Sequence, residues 1–410
     1  MSSAADIVIV GGGMVGACLA SLLASRAIVP AERVVLVEPH LPPRPASGGE
    51  IELRVSALSR ASERVLRACG AWSALSAERM CAFERMCVWD EGGRPDGPGS
   101  IHFDCATLGE ANLGYIVENR RIQWALLQQA RSLGVRIVQG QVSGLDRGQR
   151  SMTIELADGP RIASALVVAA DGADSPTRRL MGIETRGHSH EQQAVVTHVE
   201  TAVSHQNTAW QRFLKTGPIA LLPLHDGRSS IVWSTTPESA AELMALPEAE
   251  FCLAIERAAD AVLGRVVRCA SRADLPLRSS HAQDYVASRF ALIGDAAHAI
   301  HPLAGQGVNL GLLDCAALAE VIAAARAHGD DPGEMKFLRR YERWRKGENL
   351  IMLAALDGLN RLFSNDNSTI GALRRAGLSL VNRAEGVKTV FMKRALGLAG
   401  DLPRLALVDA

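Results

Sequence analysis

The stretch 291–314 holds residues whose types and order could bind a flat, electron-rich ligand. A short apolar run ending at Ile293 predicts a buried strand, which Gly294 and Asp295 interrupt at once. After a loop rich in glycine and proline, an apolar pattern at helical spacing begins near Val308. Unpaired backbone N–H groups at such a helix start suit negative charge, and Asp295 can accept hydrogen bonds from ligand hydroxyls. Taken alone, the stretch fits a tight turn equally well.

The first forty residues supply a second group with the spacing of a dinucleotide-binding unit. A strand pattern at Asp6–Val10 is followed by Gly11, Gly13 and Gly16, an Ala/Leu helix pattern and a second strand ending in Glu38. The three glycines suit a tight turn, backbone approach to a pyrophosphate and close packing of helix on strand, in that order. Glu38 would bind ribose hydroxyls, which favours FAD or NAD over NADP. This context favours dinucleotide binding over a plain turn.

A third strand ends in Asp171 and Gly172. Three such loops are more than a nicotinamide alone requires. Together the three motifs resemble those of the FAD-dependent aromatic hydroxylases, the group of para-hydroxybenzoate hydroxylase. Within that group the run HPLAGQGVNLGLLD at 301–314 resembles the signature of the ubiquinone-biosynthesis hydroxylases. The resemblance covers residues 5 to about 350.

The resemblance and the hydrophobic patterns predict an α/β fold. We expect a Rossmann-like FAD-binding domain with an inserted β-sheet substrate domain and a C-terminal helical tail. The FAD-binding domain is predicted to be discontinuous, and the expected segments are 1–76, 113–182 and 281–346 for FAD binding, 77–112 and 183–280 for substrate, and 347–410 for the tail. In the substrate domain, residues 218–235 read as a hairpin with Asp226 and Gly227 at its turn.

The resemblance also implies contacts to the cofactor outside the three motifs. Arg54 is expected to reach the phosphates, with an arginine on a solvated helix face as the alternative. Arg120 and Gln123 are one helical turn apart and are expected near the ribityl and phosphate region. The neighbouring Arg121 leaves the register of that assignment open.

Four residues of the signature run are further candidates for cofactor binding. The N–H groups of Gly305, Gln306 and Gly307 would face the pyrimidine edge of the flavin, where negative charge develops on reduction. The two glycines also allow close approach of the backbone to a flat ligand. Asn309 completes this set.

The chemistry implied by the resemblance is hydroxylation of the ring of a polyprenylated phenol in ubiquinone biosynthesis. NADH or NADPH would reduce FAD, oxygen would add to form a flavin hydroperoxide, and its outer oxygen would pass to the ring. The backbone carbonyl of Pro302 would lie near the substrate hydroxyl. His298 and His301 could carry protons, because an unperturbed histidine titrates near pH ~6.5, although a role in fixing the loop is favoured. No second fingerprint is seen for the reductant, which is expected to bind transiently.

Leu222, Pro223 and Trp233 are predicted to line the substrate pocket. For Trp233, ordinary sheet core is the favoured alternative.

The composition of the chain limits the classes of protein to which it can belong. The chain has 410 residues with 44 basic and 44 acidic side chains, so bulk charge does not favour nucleic acid. The eight cysteines have no C-x-x-C or metal-ligand spacing, which predicts no metal and a reduced, cytoplasmic protein. No uninterrupted apolar run reaches the ~18–20 residues of a membrane span, and the N-terminus lacks a signal peptide pattern.

The segment 373–398 has six basic residues and one acid among apolar residues. Such a helix can rest on an anionic membrane surface or pack on the protein, and both interpretations stay open. We expect a cytoplasmic protein, peripheral at the inner membrane, that forms a homo-oligomer and meets other ubiquinone-biosynthesis proteins. The alternatives are a related flavoprotein acting on a soluble aromatic compound, and a non-catalytic flavin-fold subunit of a biosynthetic complex.

Overall fold

The structure is a computed structural model, and it describes residues 5–46, 48–75, 77–300, 306–363, 377–382 and 384–407. Its helices are, in chain order, α1 (Met14–Ser25), α2 (Arg60–Ala68), α3 (Asn119–Ser132), α4 (Pro176–Leu180), α5 (Pro237–Ala245), α6 (Glu248–Ala258), α7 (Gln306–Ala327), α8 (Met335–Phe363) and α9 (Glu385–Ala395). Residues 377–382 are also helical.

The strands carry most of the middle of the chain. They are β1 (Ala5–Val10), β2 (Val34–Glu38), β3 (Val55–Ser59), β4 (Met80–Phe83), β5 (Arg85–Asp90), β6 (Ser100–Asp104), β7 (Gly114–Glu118), β8 (Arg136–Gln139), β9 (Val142–Arg147), β10 (Met152–Leu156), β11 (Arg161–Ala169), β12 (Thr185–Thr201), β13 (Thr208–Leu214), β14 (Gly217–Pro223), β15 (Ser229–Thr235), β16 (Val266–Cys269), β17 (Ala273–Ala282), β18 (Val286–Ala287), β19 (Phe290–Leu292) and β20 (His298–Ala299).

The first sheet is built on parallel strands. Among the described residues it has eight strands, in the order β18-β19-β11-β1-β2-β8, with β9 and β10 extending it from β11. The pairs from β19 to β8 are parallel. Ile7, Val8 and Ile9 of the central strand are fully buried, because helices cover both faces of such a sheet and its strands are apolar throughout.

The second sheet forms the inserted layer. In the described chain it has nine strands, in the order β20-β17-β12-β15-β14-β13-β5-β6, with β16 on β12. Most pairs are antiparallel, and β13 with β5 is parallel. The predicted hairpin is confirmed as β14 and β15, with Gly227 at a positive φ of 89° in its turn. One face packs on α5 and α6 around a core that includes Ile231 and Phe251.

The chain crosses from the first sheet to the second within six residues. Strand β19 lies in the first sheet, a 3-10 turn follows at Gly294–Ala296, and β20 then pairs with β17 of the second sheet. A small three-stranded sheet, β3-β7-β4, also lies in the described structure. The predicted fold class is therefore confirmed: a Rossmann-like α/β unit, an inserted β-sheet layer and C-terminal helices.

Helix α7 is long and apolar enough to cross a membrane by length and composition alone. The span Gly307–Ala327 has a mean hydropathy of 1.7 in its most apolar window, and 78% of that window is buried within the protein. Its position against α1, α2 and α8 is that of a core helix.

Candidate active site

The three glycines of the first motif have different steric roles. An added Cβ at Gly11, which has φ +104°, would lie 2.3 Å from the Ala170 carbonyl oxygen, and one at Gly16 would lie 1.9 Å from the Gly11 carbonyl oxygen. A Cβ at Gly13 would meet nothing within 4 Å. Gly11 and Gly16 therefore allow strand and helix to pack closely, while Gly13 faces open space at the start of α1.

The start of α1 is ready to receive an anion. Gly13 is its N-cap in an extended conformation and supplies no side-chain cap, so the first N–H groups of the helix are free for a pyrophosphate. Glu38 Oε2 accepts a hydrogen bond from Gly12 N (2.6 Å), and Gln123 Nε2 donates to Gly12 O (2.9 Å). Glu38 and Gln123 thus fix the glycine loop from two sides, a contact that the sequence did not predict.

The arginines near this loop have different partners. Arg121 donates to the buried Glu118 carboxylate (2.7 Å), which also binds Arg79 (2.8 Å). Arg120 instead pairs with Glu52 (2.9 Å) and is 45% exposed. Arg54 is exposed in the coil before β3, so it does not lie on a helix face, and its charge acts on Asp295 of the third motif.

The second motif is held by its own carboxylate. Asp171 accepts hydrogen bonds from Thr177 N (3.0 Å) and from the hydroxyls of Ser175 and Thr177. Gly172 follows at a φ of 86°, a conformation that glycine adopts readily. The polar atoms of Asp171 therefore order the loop that leads into α4.

Arg178 joins the second motif to the third. Its side chain is buried and donates to the Ala296 carbonyl (2.8 Å) and to the Ala173 carbonyl (2.8 Å). Sequence reasoning missed this residue, although an arginine six positions after a strand-ending Asp-Gly pair was a signal. The two loops are held in a fixed relation because one buried guanidinium contacts both.

The third motif places a carboxylate at the crossing between the sheets. Asp295 is open to the cleft, and the protein packed around it raises the pKa of its carboxyl, while His298 and Arg54 act in the opposite direction. A Cβ added at Gly307 in the first turn of α7 would lie 4.0 Å from Asp295 Oδ1. The carboxylate therefore lies directly beside the start of α7, and a ligand that reaches one of them can contact the other.

A fully buried carboxylate, Asp314 of α7, holds this motif in place. Its Oδ2 accepts from Gly294 N (3.0 Å) and His298 Nε2 (2.6 Å), and its Oδ1 accepts from Arg345 Nε (2.8 Å) and Asn349 Nδ2 (3.2 Å). Burial acts to raise the pKa of Asp314, but His298 and Arg345 outweigh it and lower the pKa from 3.8 to about 2. The carboxylate is thus ionised whenever the protein is folded near neutral pH.

His298 has the contacts of a residue that fixes the loop. It is fully buried, it stacks at 6.0 Å on Tyr285, and its Nδ1 has no hydrogen-bond partner among the described residues. Asn309 likewise joins elements: its Oδ1 accepts from Ser59 N (2.9 Å) and its Nδ2 donates to the Ala57 carbonyl (2.9 Å). The predicted site residues His301, Pro302 and Gly305 lie outside the described residues, as does the side chain of Gln306.

A large apolar cavity opens beside these motifs. Its volume is about 920 Å³, and its wall combines β3 and Asn309 with the second sheet, the end of α8, residues 377–381 and α9. Leu222 lines it, together with residues such as Val88, Phe213, Ala220, Val232, Met352 and Leu396. Pro223 and Trp233 are not part of this wall. Trp233 packs on the opposite face, with the α5 and α6 core, which is the alternative that the sequence favoured.

These features fit FAD. A dinucleotide-binding fold holds its ligand with features of this kind. Here they are the open space at Gly13, the uncapped start of α1, the fixed side chain of Glu38, and the second and third motifs held together. Consistent with this, residues 4–347 match the family model described as FAD binding domain.

Two curated relatives define the group further, and one solved structure has the same fold. The chain is 37% identical over 406 residues to ubiquinone hydroxylase UbiL of Rhodospirillum rubrum, covering 98% of this chain and 92% of that protein. It is 36% identical over 396 residues to 3-demethoxyubiquinol 3-hydroxylase of Escherichia coli, covering 96% and 98%. The crystal structure of p-nitrophenol 4-monooxygenase PnpA from Pseudomonas putida shares the fold, with a TM-score of 0.76, 20% identity, and 97% and 99% of the two chains covered. The chain belongs to the ubiquinone-biosynthesis hydroxylase family of FAD-dependent aromatic monooxygenases.

Substitution of two motif glycines should separate folding from cofactor binding. We expect Gly16→Ala to lower the free energy of unfolding by about 1–3 kcal/mol, because its Cβ overlaps the Gly11 carbonyl. Gly13→Ala should keep the stability of the apoprotein and lose affinity for FAD, since its Cβ enters only the space open to the ligand. Urea unfolding of apoprotein and quenching of flavin fluorescence measure the two effects. Equal behaviour of the two variants would contradict the assignment.

Asp314→Asn should destabilise the protein and weaken FAD binding at neutral pH. The lowered pKa of Asp314 corresponds to about 2 kcal/mol of stability. Because the pKa is lowered on folding, this stability is complete above about pH 4 and is lost as the pH falls towards about 2. The difference in unfolding free energy between wild type and variant should narrow over that range. Asp158→Asn, an exposed carboxylate, is the control, and a variant with unchanged stability and flavin affinity would show that Asp314 has no such role.

Proposed function

We propose that the protein hydroxylates the aromatic ring of a polyprenylated phenol on the way to ubiquinone, using FAD, molecular oxygen and NADH or NADPH. The observation that carries this proposal is the apolar cavity of about 920 Å³ beside the flavin motifs. Small-molecule pockets usually have volumes of ~300–1,000 Å³, so the cavity has room for a ring and part of a prenyl chain. The activities that the names of the two hydroxylase relatives state support the same substrate class.

The cavity wall suits a molecule with one polar end. The wall has a few polar side chains, among them Ser59, Asn309 and Gln211, and many apolar ones, such as Met352, Phe363 and Leu378. Burial of apolar surface contributes roughly 25 cal/mol per Å², so a prenyl chain would be bound along the apolar part. The ring would then lie beside the polar side chains of the wall.

The bound FAD would supply oxygen activation and transfer of one oxygen atom to the ring. The chain would supply position, charge and exclusion of water. Asp295 would accept hydrogen bonds from the cofactor, and the start of α7 would place backbone N–H groups towards it. The phenol ring would be held close to the cofactor by the sheet above it, which favours reaction through proximity. We propose that the reductant binds transiently.

The C-terminal helices are the proposed route from a membrane. Leu380, Val387 and Val390 are 68%, 47% and 62% exposed, and Lys388 lies among them. Leu378, Val381 and Leu396, from the same segment, line the cavity. An apolar and basic surface beside the cavity would suit peripheral binding at the cytoplasmic face of the inner membrane. Association with other ubiquinone-biosynthesis proteins and with a second copy of the chain remains part of this proposal.

A purified preparation tests the function directly. The FAD-loaded protein is supplied with NADH or NADPH, oxygen and 2-farnesylphenol, and we expect a product heavier by one oxygen in the mass spectrum. Phenol without the prenyl chain should turn over far more slowly. In cells lacking the gene, a prenylphenol short of one oxygen should accumulate. Faster turnover of soluble phenols, with unchanged ubiquinone in those cells, would favour a hydroxylase of soluble aromatic compounds. A protein that binds no flavin would favour a non-catalytic subunit.

Met352→Trp should shorten the prenyl chain that the enzyme accepts. Met352 lines the apolar part of the cavity. A larger side chain there would occupy volume that the prenyl chain needs. We expect KM to rise several-fold for long-chain prenylphenols and to stay close to wild type for short ones. Leu350→Trp, on the same helix but 45% exposed and outside the cavity wall, is the matched control. If KM depends on the length of the prenyl chain in the same way for Met352→Trp and wild type, the prenyl chain binds elsewhere.

A further inference from the structure

Gln211 is a polar side chain in the middle of the apolar cavity wall. It lies on β13, with Ala220 of β14 and Val88 of β5 as its neighbours in register. Alternate residues of a strand point to opposite faces, and Ala209 and Phe213, two residues to either side, line the cavity with it. The amide therefore points into the cavity between apolar neighbours.

Trp210 and Arg212, which alternate with Ala209, Gln211 and Phe213 along β13, extend from the other face of the sheet. Arg212 donates to the carbonyls of Arg257 and Ala258 (both 3.0 Å) in the α6 layer. Trp210 packs against the α5 and α6 core and meets Trp89 edge to face, with ring centroids 6.2 Å apart. These contacts fix which face of β13 carries Gln211.

The Gln211 amide lacks a partner within the part of the chain that the structure describes. The residue is 6% exposed, and its side chain makes no hydrogen bond to any described residue. Its amide atoms are not among the fully buried polar atoms that lack a partner in the described chain, so they are reached from the cavity. A ligand that covered this amide without bonding it would lose roughly 1–3 kcal/mol, judged from protein mutations. Such a group in a ligand-sized cavity indicates a partner that arrives with the ligand.

Trp210 also borders the cavity, and its Nε1 is buried without a hydrogen-bond partner among the described residues, on a ring that packs with the α5 and α6 core. The remaining polar side chains of the described wall are already engaged. Asn309 bonds the backbone of Ala57 and Ser59. The hydroxyl of Ser59 bonds Ser62, and Arg394 donates to Glu348 (3.0 Å). Gln211 is thus the wall residue best able to bond a polar group of the substrate.

We propose that Gln211 binds an oxygen substituent of the substrate ring and so sets the orientation of the ring in the cavity. The inference rests on the proposed function, because it takes the substrate to be a prenylated phenol. An amide offers both a donor and an acceptor, so it can bond a hydroxyl or an ether oxygen. The prenyl chain has no polar atom, and without this contact a ring oxygen facing Val88 and Ala220 would stay unpaired.

The test compares ligands that differ only in ring oxygens. Farnesylbenzene, 2-farnesylphenol and 2-farnesyl-6-methoxyphenol are titrated into FAD-loaded protein, and binding is followed by the change in flavin absorbance. We expect Gln211→Leu to weaken binding of at least one oxygenated probe by about tenfold, and that of farnesylbenzene by less than twofold. The variant should also release more hydrogen peroxide for each NADH or NADPH consumed, since a misoriented ring accepts oxygen poorly. Val88→Ala, which alters the same wall without a polar change, should affect the three probes alike.

The outcomes separate this inference from the proposed function. Equal loss for all three probes, or no loss for any, would overturn the role of Gln211 even if wild type hydroxylates prenylphenols. Failure of wild type to hydroxylate either phenol would instead overturn the proposed function. Gln211→Met keeps the length of the side chain without its hydrogen-bonding atoms. It provides the same comparison if the leucine variant does not retain FAD or wild-type thermal stability.

Discussion

One buried carboxylate, Asp314, connects the parts of the protein that form the candidate site. It accepts hydrogen bonds from the 3-10 turn of the third motif, from β20 and from α8, and it is itself part of α7. Unpaired, this charge would destabilise the fold by several kcal/mol; surrounded by donors, it defines one arrangement of these elements. Arg178 extends the arrangement to the second motif through the carbonyl of Ala296. The loop that carries Asp295 is therefore held from both sides.

The crossing from β19 to β20 explains why the site lies where it does. The chain leaves the end of a parallel strand, where dinucleotide-binding folds place their ligands, and joins the inserted sheet within a few residues. The sheet is thus brought over the cofactor motifs by the same segment that supplies Asp295. The cavity is lined by β3 of the small sheet and by the inserted sheet, and the C-terminal helices complete its wall.

The cavity is apolar because most of its wall consists of aliphatic and aromatic side chains, and several of the few polar ones bond elsewhere. Asn309 and Ser59 bond neighbouring backbone or hydroxyl groups, and Arg394 pairs with Glu348. A dry wall of this kind would favour a prenyl chain and keep water from the reacting ring, and it also makes a single amide such as Gln211 effective for recognition. In a low-polarity environment, one unpaired group costs more than it would at the surface.

The sequence alone determined the local features: the glycine spacing of the first motif, the acid after β2, the Asp-Gly and Gly-Asp loops, the hairpin and the buried strands. These depend on short-range sterics and on apolar runs, which adjacent residues specify. The tertiary structure decided the rest. Leu222 and Trp233 were both candidates for the pocket, with sheet core favoured for Trp233, and only the structure decided between the two faces, because a sheet buried on both faces shows no alternation that identifies the cavity side. Asp314 stood in an apolar helical pattern, and only the approach of Arg345 and Asn349 from α8 showed its role, since such contacts join residues far apart in the chain.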